Sequence, residues 1–219
     1  MDILKLISEE KALNLPMADR IYNMLLRDIL TGNIPIGQRL TESYICEQYN
    51  ISRTPAREAL MQLKLTGLVD IIPMRGAIVR GISRDNIEDI LLMRCDMEKR
   101  AAQWATQRIT KEERKNLDEI MSHMEFYTRK NDIPKMIDIN AAFHRLIYSS
   151  AHNHMLETNL ITYQKIIHYL CPSNYFANKY LETVLNEHRV IYNAIVSNNP
   201  EAAMTAMQVH MNKSISRKL

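Results

Sequence analysis

The sequence predicts a mostly α protein in two parts: a three-helix unit with a small β wing, then an all-α bundle of six or seven helices. Three observations predict it. All five glycines (Gly32, Gly37, Gly67, Gly76 and Gly81) fall before residue 82, so the turn-rich part ends there. Apolar residues recur at helical spacing on both sides of that boundary. Two short β-branched runs, Val69–Ile72 and Ile78–Arg80, flank the tip PMRGA and read as a hairpin-like wing. The domain reading is an arm over 1–15, a first domain over 16–80 and a helical domain over 81–219.

The first helix lies in MADRIYNMLLRDILTGNI, where Ile21, Met24, Leu25, Leu26 and Ile29 share a face. Gly32 stops it and Pro35 blocks continuation. IPIGQRL reads as a turn into a short helix capped by Thr41. After a break at Tyr49–Ile51, Ser52 or Thr54 caps a third helix, in which Pro55 is tolerated in the first turn and which Gly67 ends. Ala56, Ala59, Leu60 and Leu63 fall on one side of that helix, and Arg53, Arg57 and Lys64 on an adjacent arc.

The bundle follows from start signals. Ser83, the Thr110/Glu113 capping box, Asp132 with Pro134, Asn153, Pro172–Ser173 and Asn199-Pro200 each precede an amphipathic run. Trp104, near the end of the first of these helices, reads as core.

Composition narrows the classes. The 219 residues are 46% hydrophobic and 24% charged, which is ordinary globular composition. The net charge of +3 does not by itself identify a nucleic-acid binder. Three scattered cysteines fit a reducing cytoplasm rather than a disulfide framework. The N-terminal stretch lacks the basic and apolar regions of a signal peptide, and no apolar run is long enough to cross a membrane.

Two features carry chemistry. In SRTPAREAL, Arg53 and Arg57 put positive charge at a helix start, where the macrodipole favours anions, so an external anion is the expected partner. Alone, such a pair reads as a solvated helix face. With a preceding short helix and an Arg-tipped wing it describes a DNA-binding helix-turn-helix. The second feature is histidine placement. Asn140 and His144 are i,i+4, while His188 and His210 sit among apolar residues of two further helices. From spacing alone, these histidines read as core residues or as ligands converging on a metal. No aspartate or glutamate stands in an obvious general-base relation to them.

GQRL followed by ISRTPAREALMQLKLTGLV and a wing resembles the winged helix of the GntR superfamily of bacterial transcription regulators. The elements RCDME, FH at 143–144, EH at 187–188 and the late His210 resemble the FadR-type C-terminal ligand-binding domain of that superfamily, the FCD domain. The resemblance implies that Ser52, Arg53, Thr54, Arg57, Arg75 and Gly76 face DNA, and that Ser43 replaces a further DNA-contacting arginine. It implies a divalent ion (zinc or nickel, with manganese as an alternative) held by Asn140, His144, His188 and His210, with Arg94 holding a carboxylate effector. Asn140 departs from the family aspartate and offers a neutral oxygen. The reading is therefore a homodimeric, cytoplasmic regulator on a palindromic double-stranded operator, not an enzyme and not at a membrane. The competing readings are a metal-dependent enzyme and a DNA-binding protein with a purely structural helical dimerisation domain.

Overall fold

The computed structural model describes residues 15–170 and 180–217. The expected arm up to residue 14, Cys171 and the expected helix opening at Pro172–Ser173 lie outside them. The chain divides into two compact units, with the division between Glu88 and Asp89.

The first unit contains α1 (Met17–Leu30), β1 (Arg39–Leu40), α2 (Glu42–Tyr49), α3 (Arg53–Leu65), β2 (Val69–Ile72) and β3 (Gly76–Val79). Local chemistry sets the boundaries. The Tyr44 amide donates to Thr41 Oγ1 at 3.1 Å, which caps α2. Asn50 ends that helix in the left-handed region at φ 50°. The expected inward face of α3 is buried, at Ala56, Ala59, Leu60 and Leu63, as are Leu25, Leu26 and Ile45 on the helices α1 and α2 that pack against it. Burying each such leucine contributes about 1.5–3 kcal/mol.

The sheet is antiparallel, in the order β1-β3-β2. It corrects the sequence reading in two places. IPIGQRL is not only a turn, because Arg39 and Leu40 pair with Ile78 and Ala77. The last strand begins at Gly76 rather than Ile78, with Gly76 opposite Ile72, and it stops before Arg80, whose amide turns to Leu68 O at 2.8 Å. At the wing tip the Arg75 amide closes the turn on Ile72 O at 3.0 Å. Gly76 is required twice over: its φ is +90°, and a Cβ there would stand 2.5 Å from Leu40 O.

The second unit takes in α4 (Arg84–Arg108) from Asp89 onward, then α5 (Lys111–Lys130), α6 (Ile133–Ser150), α7 (His154–Leu170), α8 (Leu181–Val196) and α9 (Pro200–Ser216). Thr110 and Glu113 form the expected reciprocal capping box. Asp132 caps α6 and Asn199 caps α9, each accepting an amide hydrogen bond at 3.1 Å. Helices α5 and α6, and likewise α8 and α9, pack together over a core that includes Leu117, Ile120, Met124, Phe143, Leu146 and Ile191. Trp104 departs from expectation: it is only half-buried, and the Arg108 guanidinium lies 4.7 Å from its ring centroid.

Candidate functional site

His144 on α6, His188 on α8 and His210 on α9 meet inside the second unit. All three are buried, and one ring nitrogen from each lies within 4.8 Å of the others. Their placement follows from helix periodicity. Phe143, Leu146 and Ile147 face the core around His144, and Val184, Leu185 and Ile191 do so around His188.

The hydrogen bonds fix which ring nitrogens are available. His188 Nδ1 lies 2.7 Å from the Val184 carbonyl, which can only accept, so Nδ1 carries the hydrogen and Nε2 the lone pair. That Nε2 is buried with no hydrogen-bond partner among the described residues. His144 Nδ1 donates to Glu98 Oε2 at 2.7 Å, and His210 Nδ1 donates to Glu187 Oε2 at 2.8 Å. Their Nε2 atoms then face each other at 3.3 Å. Two imidazoles bound to one tetrahedral zinc, at about 2.0–2.1 Å each, have nitrogens about 3.3 Å apart. An orphaned buried nitrogen, a matching separation and three converging imidazole nitrogens are what a divalent ion requires.

The carboxylates behind the rings complete the centre. Glu98 Oε1 accepts from Arg94 Nε at 2.9 Å, from Arg94 Nη2 at 2.7 Å and from the Tyr148 hydroxyl. Burial pushes the Glu98 carboxyl up, but His144 and Arg94 outweigh it and hold it far below the usual carboxylate range. Glu187 is clamped by Arg217, with Nη1 to Oε1 at 3.0 Å and Nη2 to Oε2 at 2.9 Å. Burial pushes Glu187 up too, yet hydrogen bonds from His210 and Arg217 carry it down to about 2. Such carboxylate–imidazole pairs fix ring orientation and raise ligand basicity.

Both carboxylates stand in the sequence elements RCDME and EH, which do not reveal their role toward the histidines. Glu98 and Glu187 do contact the histidines, but from the Nδ1 side, away from the nitrogens that converge. They orient rings rather than serve as bases toward an open position. Arg94 is almost fully buried, with its Nε and Nη2 engaged by Glu98. Asn140 lies one turn before His144 on α6, half-buried and with no side-chain hydrogen bond among the described residues.

Burial sets the charge state. Desolvation, reinforced by the neighbouring rings, lowers the His188 pKa well below its ordinary value and that of His210 to about 4. Both imidazoles bind a proton more readily unfolded than folded, so stability is full above the unfolded pKa of about 6.5 and is lost as pH falls toward 4. By pH 5 His210 accounts for a loss on the order of 2 kcal/mol, and His188 acts in the same direction. Urea unfolding of chelator-treated protein, followed by circular dichroism, is expected to show that loss between pH 7 and pH 5. Equal stability at the two values would show that the rings are not held neutral.

In the first unit, Ser52 is the N-cap of α3 without a capping hydrogen bond from its side chain, and the first turn of the helix holds no acidic residue. Ser52, Arg53, Thr54 and Arg57 are exposed, as is Arg75 at the wing tip. Arg57 is engaged within the chain: its Nε and Nη2 donate to Glu42 Oε1 and Oε2 at 2.7 and 3.0 Å. The expected external anion is therefore not the only partner available to it.

Comparison with known families decides the assignment. The family model described as bacterial regulatory proteins, gntR family, matches residues 17–79, and the FCD domain model matches residues 89–213. This chain belongs to the GntR family and carries an FCD domain. Its relatives include the HTH-type transcriptional regulator YdhC of Bacillus subtilis, 28% identical over 88% of this chain and 87% of that protein. The HTH-type transcriptional repressor RspR of Escherichia coli is 25% identical, over 90% and 86%. In fold the chain is similar to E. coli McbR/YncC, with a TM-score of 0.69 over 92% of this chain and 96% of that one, at 20% identity. The chain is thus a transcriptional regulator and not a metalloenzyme. No helix among the described residues is long and apolar enough to cross a membrane.

Proposed function

We propose that this regulator binds a palindromic operator as a homodimer, and that a small carboxylate held at the histidine centre controls its operator affinity. The observation that carries the sensing half is the convergence of three imidazole nitrogens, with His188 Nε2 buried and unpartnered. His144, His188 and His210 hold a divalent ion, zinc or nickel by donor chemistry with manganese as the alternative, and Asn140 lends a neutral oxygen. When bound, the ion supplies positive charge to a carboxylate, and Arg94 is the residue assigned to the effector. Residues 16–80 form the DNA-binding domain, in which Ser52, Arg53, Thr54 and Arg57 face the major groove and Arg75 and Gly76 stand at the wing tip. The helical domain, residues 81–219, forms the sensor and the dimer.

The experiment is enrichment of binding sites from a randomised duplex pool, followed by binding of the enriched duplex with and without divalent ion and a panel of small carboxylates. The expected result is an inverted repeat with half-sites about one helical turn apart, and an affinity that changes with ion plus carboxylate. Affinity indifferent to every combination would instead support a structural helical domain. A separate variant tests the fourth ligand. Asn140→Asp replaces an ion–dipole contact with an ion–charge contact, so metal affinity is expected to rise about tenfold, or ~1.4 kcal/mol. Competition against a chromogenic chelator measures it, and unchanged affinity removes Asn140 from the ligand set.

A further inference from the structure

The geometry points to Glu42 as a specificity-determining residue that steers Arg57 onto a guanine edge and away from phosphate. The inference rests on the DNA-binding reading above and adds to it a residue from outside the recognition helix. Glu42 is the first residue of α2, directly after the N-cap Thr41, whose side chain accepts from the Tyr44 amide. Arg57 lies one turn into α3, fifteen positions on. The two meet side-on, with Nε to Oε1 at 2.7 Å and Nη2 to Oε2 at 3.0 Å, so both carboxylate oxygens and the whole Nε/Nη2 edge are engaged.

A guanidinium has five N–H donors in a rigid plane. Two point at Glu42, and the remaining three lie on the Nη1/Nη2 end, directed away from it. That end is the fork that matches guanine O6 and N7. Because the plane is rigid, fixing one edge aims the other. The Arg57 side chain is 67% exposed, so the aimed end is accessible. An ion pair this exposed adds little to stability, which leaves orientation as its main consequence. Glu42 also places negative charge beside the helix start, where it repels phosphate and leaves the neutral base edge as the better partner for Arg57. Arg53 lies near enough to act on the same carboxylate through its charge.

Glu42→Gln keeps the size of the side chain and one acceptor while removing the charge. The test compares wild type, Glu42→Gln and Arg57→Ala in enrichment from the same randomised duplex pool, with calf-thymus DNA binding measured across salt concentrations. The expected result is a guanine position that wild type prefers and both variants lose, by about tenfold for Glu42→Gln. The same Glu42→Gln protein should bind calf-thymus DNA more tightly, with a salt slope steeper by about one unit. Unchanged guanine preference in Glu42→Gln overturns the role of Glu42 and leaves the DNA-binding reading standing. Failure of wild type to enrich any motif overturns both, and melting temperatures confirm that each variant is folded.

Discussion

Divalent-metal affinity is expected to fall steeply in His188→Ala, and most of the chelator-sensitive stability with it. Wild type, at an ion concentration one hundred times its dissociation constant, gains about 2.7 kcal/mol from an ion that binds only the folded chain. His188 supplies the one converging nitrogen with no other partner among the described residues, and its removal takes away a third of the imidazole donors. Affinity is expected to fall by about a hundredfold or more, on the scale of ~2.7 kcal/mol. The variant also vacates space against Phe143, whose ring centroid lies 4.6 Å from that of His188, so some loss of intrinsic stability accompanies it. The two effects separate cleanly: the packing loss is present with or without metal, whereas the metal-linked gain is not. Melting with and without zinc, nickel or manganese measures both, and a variant that gains as much from metal as wild type would remove His188 from the site.

Operator binding is expected to collapse in the double variant Arg53→Ala/Arg57→Ala. Both side chains are exposed at the start of α3, and neither carries the core of the unit. A base-reading arginine contributes about 1–3 kcal/mol, and one that touches only phosphate shows itself as a salt slope smaller by about one unit. Fluorescence anisotropy on the enriched duplex, repeated across salt concentrations, distinguishes the two roles. Full-strength binding by a folded double variant would end the assignment of α3 as the recognition helix.

What could be read from the sequence was what is local. Thr41, Thr110 with Glu113, Asp132 and Asn199 announce their helices because a cap acts on an amide three residues away. The inward face of α3 and the first wing strand follow from periodicity within a single element. The two-residue strand Arg39–Leu40 has no period of its own and exists because β3 lies beside it. The second wing strand starts early because Gly76 alone tolerates both its φ and the nearby Leu40 carbonyl.

The candidate sites divide along the same line. Inward histidines are visible as single positions on amphipathic helices, and the family resemblance groups them. The pairing of their orienting carboxylates is not visible, because Glu98 lies 46 positions before His144 and Glu187 lies 23 before His210. Helix packing, not spacing, brings them together. Glu42 is hidden as a partner of Arg57 for the same reason, since it comes from a neighbouring helix. Trp104 reads as core yet is half-buried, because arginines one turn away on either side cover the indole as apolar residues do.

Native mass spectrometry of the protein mixed with its enriched duplex reports chains, DNA and metal in one spectrum. A metal-sensing dimer on its operator gives a particle of two chains, one duplex and two divalent ions. A protein–duplex particle that carries no metal as purified, and that takes up none when zinc, nickel or manganese is added, would contradict the metal-sensing reading.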